Sequence, residues 1–275
     1  PLLEAFEKDP EILNPQQRNI SVMFADLRNF TSITERIGSE KSFDLLTDVM
    51  NRWTAEVMKT QGVILDFYGD GLAAMWNAPA EQLEHAYLAC ETAQAIQEAT
   101  LELRRKWNPE VNVCLEAAIG IATGDALVGN AGSDLRLKYG PRGSTVNLGS
   151  RLESAAKKLG VSILLSDETC QQLNGRMPTR RIGRAALPGL AHFRNVYELL
   201  SPVQATETYQ DLFSKYEQAL DCFEHERYDE ASQLLESLVR SEKRISGAEA
   251  MYEVANAKPT DLAPSIRLVG QSEQD

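Results

Sequence analysis

The sequence predicts an α+β fold, and three observations lead to this prediction. Short apolar runs with the length of buried strands alternate with longer segments that are apolar at helical spacing. Gly and Asp-Gly steps separate them as turns. The resulting order is strand, helix, hairpin, helix, strand, turn, helix, strand, which is a split β-α-β plan, ferredoxin-like in outline.

The first strand and helix are predicted from an apolar run and a capping pair. Residues 20–25 form a buried strand that stops at Asp26. Ser32 and Glu35 have S-x-x-E spacing ahead of helically spaced apolar residues. We therefore expect a helix that begins there and ends at Gly62.

The remaining elements follow from the same signals. The segment Gly69-Asp70-Gly71 joins two short predicted strands, and its Asp-Gly dipeptide predicts that they form a hairpin. Later elements alternate between helical and strand patterns. The predicted order is strands 63–68 and 72–76, helix 85–107, strand 115–122 with a turn at 123–125, helix 145–159, strand 161–165 and edge strand 195–200.

The C-terminal part differs from the rest, because residues 201–241 predict two amphipathic helices. This helical hairpin resembles a single tetratricopeptide-like unit and cannot bury its own apolar face. We expect it to pack on the main domain or on a neighbouring chain. The predicted organisation is a lead-in at 1–17, a main domain at 18–200, a helical hairpin at 201–245 and a polar, mobile tail at 246–275.

Composition excludes several classes of protein. With 28 Lys and Arg against 40 Asp and Glu, the 275 residues carry a net charge of −12, which disfavours binding to nucleic acid. The four cysteines are far apart and indicate neither a zinc site nor a disulfide framework. No apolar run reaches the roughly 18 to 20 residues of a membrane span. We expect a cytoplasmic fragment of a longer protein, with any membrane attachment supplied by parts outside this chain.

Two acidic residues stand at the ends of predicted strands. Asp26 follows the first strand and Asp70 lies at the tip of the next hairpin. If the hairpin pairs beside the first strand, both carboxylates face one crevice, where hard oxygen ligands suit Mg²⁺ or Mn²⁺ with substrate phosphates. The alternative is that Asp70 only forms the turn and Asp26 only approaches a helix.

A polar turn and a later helix add further candidates. The turn after Asp26 leads into a helix N-terminus, whose free N–H groups can bind phosphate. Asn147 and Arg151 lie four apart on one helix face, where an amide and a guanidinium can hold a ribose and stabilise phosphate charge. The alternative is an ordinary solvated face on which Arg151 pairs with Glu153 or Asp167.

Four further segments stand out along the chain, namely FADLRNFTS (24–32), FYGDGLAAM (67–75), GIATGD with VGN (120–125 and 128–130) and VNLGSRLE (146–153). In order and spacing they resemble the catalytic domain of class III nucleotidyl cyclases, and the resemblance covers about residues 18–200. It implies a ferredoxin-like core and a head-to-tail homodimer with two interfacial sites. It also implies that a nucleoside triphosphate is converted to its 3′,5′-cyclic monophosphate and pyrophosphate, with two Mg²⁺ or Mn²⁺ ions per site.

The resemblance assigns roles to individual positions. Asp26 and Asp70 match the metal-binding aspartates of one protomer. Phe30 and Thr31 match the turn that contacts phosphate. Asn147 and Arg151 match the ribose-orienting and transition-state residues, which the other protomer supplies.

The positions that select the base depart from the adenylyl cyclase pattern, in which a Lys and an Asp or Thr read adenine. Here these positions hold Asp66 and Gly140. Guanylyl cyclases of the family place Glu at the first position, and Asp66 is a shorter acceptor for the N1–H and N2 amino group of guanine. We therefore expect GTP to be favoured, with an adenylyl cyclase of atypical base recognition as the alternative.

One further departure leaves a third possibility. Family members often carry a K-G-K turn that approaches the phosphates, whereas this chain has Pro188-Gly189-Leu190. A weakly active domain that binds nucleotide and regulates a partner is therefore the competing hypothesis. The four residues Asp26, Asp70, Asn147 and Arg151 argue for an active enzyme.

Overall fold

A computed structural model describes residues 10–111, 114–130, 132, 137–187, 194–241, 243, 245–257 and 266–267. The chain forms two compact units, residues 1–153 and 154–275. Within the described residues, no helix combines the length and the apolar character needed to cross a bilayer. The predicted α+β class is confirmed, since helices and an open sheet alternate along the chain.

The first unit contains most of the elements predicted around the site. Its strands are β1 (Gln16–Leu27), β2 (Val63–Tyr68), β3 (Gly71–Trp76), β4 (Ala117–Asn130) and β5 (Tyr139–Arg142). Its helices are α1 (Phe30–Ile37), α2 (Ser39–Lys59), α3 (His85–Val111) and the first residues of α4 (Ser144–Leu159), after a 3-10 turn at Pro10–Leu13.

The sheet of this unit has the order β2-β3-β1-β4, with β5 paired to β4, and all of these pairs are antiparallel. Alternate residues of β1 face opposite sides. On one side, the Ser21 hydroxyl lies 2.9 Å from Nδ1 of His85, the first residue of α3. On the other side, a Cβ built on Gly149 of α4 would lie 2.9 Å from Val22 and 3.1 Å from Phe24. The side chain of Asp26 belongs to this second face.

Two strands are longer than predicted. β1 and β4 pair continuously from Gln16↔Val128 to Leu27↔Ala117. The predicted end of the strand at residue 25 is therefore two residues too early, because Asp26 lies inside β1, which ends at Leu27. The turn predicted at residues 123–125 is also wrong, because β1 gives that part of β4 a partner despite its Gly and Asp.

The predicted first helix is two helices. Gly38 separates α1 from α2 with φ of 82°, a conformation that favours glycine. The predicted capping pair at Ser32 and Glu35 is wrong, because α1 already begins at Phe30 and its N-cap is Asn29. The apolar periodicity continued through Gly38 and concealed the break.

The second unit joins a small sheet to helices. Its elements are β6 (Ile163–Ser166), α5 (Asp167–Gln172), β7 (Thr179–Ala186), β8 (Arg194–Leu199), α6 (Glu207–Glu224), α7 (Tyr228–Val239), α8 (Ala248–Ala257) and β9 (Ile266–Arg267). The strand order is β6-β8-β7-β9, and the predicted C-terminal hairpin is present as α6 and α7. The strands β7 and β9 and the helices α5 and α8 were not predicted.

A buried arginine connects the strands and helices of this unit. Arg180 of β7 forms an ion pair with Glu198 of β8 at 2.6 Å, and Nη2 donates to the carbonyl of Ser246 at 2.7 Å. Its guanidinium also lies 4.9 Å from the ring of Phe213 and 4.7 Å from that of Tyr216, both in α6. These contacts explain how a strand with charged residues is buried. Residues 1–9, the turn at 188–190 and most of the predicted tail lie outside the described residues.

Candidate active site

The two candidate metal ligands are brought together by strand pairing. Asp26 of β1 is the register partner of Gly71, the first residue of β3, and Asp70 directly precedes Gly71 in the chain. A Cβ built on Gly71 would lie 3.3 Å from Cγ of Asp26 and 3.0 Å from the carbonyl oxygen of Ala25. Glycine at this position therefore leaves open the space beside the Asp26 carboxylate.

A pocket of ≈ 400 Å³ opens on the same face of the sheet. Its walls come from β1, the β2–β3 hairpin and the first turns of α4. Asp26 and Asn147 both line it, whereas Asp70 and Arg151 are not among its lining residues. The residues around it are Phe24, Ala25, Asp26, Tyr68, Gly71, Leu72, Val146, Asn147, Ser150 and Glu153.

Close backbone contacts fix helix α4 above this face. A Cβ built on Gly120 of β4 would lie 2.1 Å from the backbone nitrogen of Glu153 and 2.6 Å from the carbonyl oxygen of Gly149. At the start of the helix, the hydroxyl of buried Thr145 donates to the carbonyl of Asp125 at 2.8 Å. The helix thus lies directly against the sheet, and this fixes the position of Asn147.

Asn147 and Arg151 occupy the helix as predicted, one turn apart. Asn147 is exposed beside the pocket and Arg151 is half-buried. The structure therefore places Asn147, and not Arg151, in the pocket that contains Asp26 of the same chain.

Phe30 and Thr31 form the first turn of α1, four and five residues after Asp26. The N-cap Asn29 has φ of 55° and makes no side-chain capping hydrogen bond. The first N–H groups of a helix have no partner within the helix. The first turn of α1 is therefore suited to binding an anion.

The two candidate base-selecting positions lie on neighbouring elements. A Cβ built on Gly140 of β5 would lie 3.6 Å from Cδ2 of Leu65, the residue before Asp66. Asp66 itself makes an ion pair with Lys138, which immediately precedes β5. Its other carboxylate oxygen, Oδ1, accepts the N–H of Phe67 at 3.0 Å.

Sequence reasoning missed three polar residues. Ser150 and Glu153 line the pocket because, with Val146, they follow i, i+4, i+7 spacing on one face of α4. That spacing could have been recognised in the sequence. No sequence signal indicates Lys138, because its partner is 72 residues away.

The donor set is compatible with a divalent cation. Among the described residues, no group of three or more His, Cys, Asp or Glu is arranged to hold a metal ion. Asp26 and Asp70 nevertheless supply two carboxylates, and the space beside Gly71 allows other oxygen ligands to approach. Mg²⁺ commonly binds through one or two carboxylates completed by water and substrate phosphates.

Comparison with known proteins identifies the same region. The protein-family model described as the adenylate and guanylate cyclase catalytic domain matches residues 12–210 of this chain. This range includes every candidate site residue.

Individual relatives differ in the activity that their names state. Adenylate cyclase 1 of Rhizobium meliloti is 32% identical over 192 residues, which cover 70% of this chain and 29% of that protein. The adenylyl cyclase CyaB of P. aeruginosa is 32% identical with a TM-score of 0.64, covering 69% of this chain and 97% of the solved one. The guanylyl cyclase Cya2 is 28% identical with a TM-score of 0.61, covering 71% and 97%. The chain thus spans under a third of the Rhizobium protein.

Proposed function

The chain belongs to the family of adenylate and guanylate cyclase catalytic domains, and we propose that it converts a purine nucleoside triphosphate to the 3′,5′-cyclic monophosphate and pyrophosphate. The observation that supports this most directly is the strand pairing that brings Asp70 beside Asp26. Two neighbouring carboxylates can bind the metal ions that accompany a nucleoside triphosphate.

Asp26 and Asp70 would hold two Mg²⁺ or Mn²⁺ ions. When bound, such ions lower the pKa of a hydroxyl and neutralise charge on the phosphates. Glycine at position 71 keeps the approach to the Asp26 carboxylate free of side-chain atoms. The two carboxylates would thereby help to hold the α phosphate near the 3′ hydroxyl that attacks it, with pyrophosphate as the leaving group.

The first turn of α1 would bind the terminal phosphates. Phe30 and Thr31 contribute backbone N–H groups where the positive end of the helix dipole faces the chain segment after Asp26. This interaction orients pyrophosphate as the leaving group.

Asn147 and Arg151 would act on the ribose and on the α phosphate. The amide can hydrogen-bond the ribose, and the guanidinium can stabilise charge that develops on the phosphate. We propose that Asn147 and Arg151 act together in the site of a second copy in a homodimer, and the position of Arg151 outside the lining of its own chain's pocket is compatible with this.

Two purine substrates have support. The carboxylate of Asp66, considered alone, favours GTP because guanine presents two donors at N1 and N2. ATP is the second candidate, because the relatives from R. meliloti and P. aeruginosa are named adenylate and adenylyl cyclases.

The test is a side-by-side assay of the purified chain with ATP, GTP, CTP and UTP, each with Mg²⁺ and with Mn²⁺. We expect a cyclic purine nucleotide and pyrophosphate in equal amounts. Asp26→Ala should abolish turnover with both metals, whereas Asp44→Ala, which removes an exposed carboxylate from α2, should not. Absence of product from all four nucleotides would favour a regulatory nucleotide-binding domain, and an active Asp26→Ala variant would exclude the proposed metal site.

A further inference from the structure

Arg28 continues the strand that carries Asp26. Its N–H donates to the carbonyl of Glu116 at 2.8 Å, so the ladder between β1 and β4 extends one residue beyond Leu27. Residues two apart along a strand project from the same face of the sheet, separated by roughly 6.5 Å. The side chain of Arg28 therefore leaves the backbone on the face that carries the carboxylate of Asp26.

The cross-strand neighbours of Asp26 are small, and the cationic residue nearest to it along the chain is Arg28. The register partner of Asp26 is Gly71 on β3 and Ala118 on β4. Neither has a side chain long enough to cover the carboxylate. Arg28 is half-buried, so its guanidinium is held by the protein and is still accessible to a ligand.

The chain turns sharply directly after Arg28. Asn29 has φ of 55° and ψ of 28°, and its carbonyl accepts the N–H of Ile33 at 3.1 Å. Because this left-handed conformation bends the chain within one residue, α1 begins next to the end of β1. Arg28 therefore lies between the two groups that are proposed to hold the triphosphate, namely the carboxylate of Asp26 and the first turn of α1.

We infer that Arg28 is a further substrate-binding residue, whose guanidinium binds the terminal phosphate of the nucleotide; this rests on the proposed cyclase function. Two divalent ions that also neutralise two aspartates do not balance the charge of a triphosphate, so a further cation stabilises the complex. A guanidinium suits this position because it can donate two parallel hydrogen bonds to phosphate oxygens. With the α phosphate near Asp26, the terminal phosphate extends towards Arg28 and α1.

The test removes the guanidinium and measures affinity without turnover. The 3′-deoxy forms of ATP and GTP cannot cyclise, and calorimetry with Mg²⁺ present gives their dissociation constants. Arg28→Met should weaken the binding of both by roughly tenfold, because a hydrogen bond to a charged group is lost at a half-exposed position. The two bases should give the same factor, since the terminal phosphate is common to them. The corresponding 3′-deoxy diphosphates should be affected much less.

Two further variants separate a phosphate contact from a role in folding. Arg28→Lys keeps a cation at this position, should fold as wild type, and should retain part of the affinity. Arg36→Met removes an exposed arginine from the last turn of α1, at the other end of the same helix, and should leave every dissociation constant unchanged. Thermal unfolding of each variant shows whether lost binding reflects lost structure.

Kinetics provide a second measurement. Arg28→Met should raise KM for the triphosphate and the inhibition constant of pyrophosphate by similar factors, because substrate and product share the inferred contact. Wild-type affinity for the 3′-deoxy triphosphates in Arg28→Met, or equal losses for triphosphates and diphosphates, would overturn the inference and leave the proposed function intact. If wild type bound neither triphosphate, the proposed function and the inference would fail together.

Discussion

Gly120→Ala tests whether the close contact between β4 and α4 positions the site. The added Cβ would lie 2.1 Å from the nitrogen of Glu153, 2.6 Å from the carbonyl oxygen of Gly149 and 2.6 Å from the carbonyl carbon of Leu152. All three atoms belong to the helix backbone, so rotation of a side chain cannot relieve the overlap. The helix itself has to move.

The required movement follows from these distances. Contacts of a Cβ are ordinary from 3.4 Å, so the nitrogen of Glu153 must retreat by 3.4 − 2.1 = 1.3 Å. Overpacking of this kind costs about 3 kcal/mol of unfolding free energy, the upper end of the usual range. A displacement of roughly 1 Å at a catalytic group can reduce turnover about a hundredfold. Asn147 and Arg151 lie on the displaced helix, so kcat should fall by about that factor.

The assay combines thermal unfolding with steady-state kinetics. Gly120→Ala should lower the melting temperature by about 6–12 °C. Gly140→Ala is the matched stability control, because its Cβ meets only Cδ2 of Leu65 at 3.6 Å, and its melting temperature should stay near wild type. Wild-type stability and turnover in Gly120→Ala would refute the argument that this contact sets the position of α4.

Three further predictions concern other parts of the molecule. Mixing Asp26→Ala with Arg151→Ala chains should restore activity to mixed dimers, because one of the two sites keeps every proposed catalytic residue. Burial lowers the pKa of His85, so the folded protein holds it neutral while the unfolded chain takes up a proton near pH ~6.5. Its contribution to stability is complete above that pH and is lost as the pH falls, as denaturant titrations between about pH 7 and 5 should show. Arg180→Met should reduce the free energy of unfolding by about 3–5 kcal/mol, because it leaves Glu198 charged and buried.

Each of these predictions has its own control. A mixture that stays inactive while both variants dimerise would contradict shared sites. His85→Gln cannot titrate and should flatten the decline in stability, and identical pH profiles for it and wild type would contradict the assignment. Arg240→Met removes an exposed ion pair in the same unit and should cost under about 1 kcal/mol. A similar cost for Arg180→Met would show that its buried ion pair matters little.

The sequence predicted the elements whose patterns are local. The hairpin around Asp70 and helix α4 with Asn147 were correctly placed. An Asp-Gly turn and a 3.6-residue apolar periodicity can both be recognised from residues that are close together in the sequence. β7 was not predicted, because the burial of Arg180 depends on Glu198 and Ser246, which come later in the chain. Propensity cannot identify a charged strand whose neutralising partners are distant in sequence.

In the candidate site, too, local sequence patterns indicate some residues, whereas the contacts of others depend on residues that are distant in the chain. Asp26 became a candidate because strand ends and turns are visible locally, even though pairing with β4 carries the strand past it. Asp66 is also a candidate from the sequence, but its ion pair with Lys138, 72 residues away, could only be found in three dimensions. The pairing of charges that are distant along the chain is therefore the information that the sequence lacks here.

The contacts of Arg180 also bear on how the C-terminal helices could be gained or lost during evolution. Its guanidinium depends on rings in α6 and on the carbonyl of Ser246 after α7, so a chain without these segments would leave a cation poorly satisfied on β7. The next residue, Arg181, points to Glu224 at the end of α6, with 3.0 Å between the charged groups. A descendant that lost the helices would come under pressure to replace both arginines. Two adjacent arginines in this strand could therefore serve as a hallmark of the helical extension in related chains whose C-terminal sequences have diverged beyond recognition.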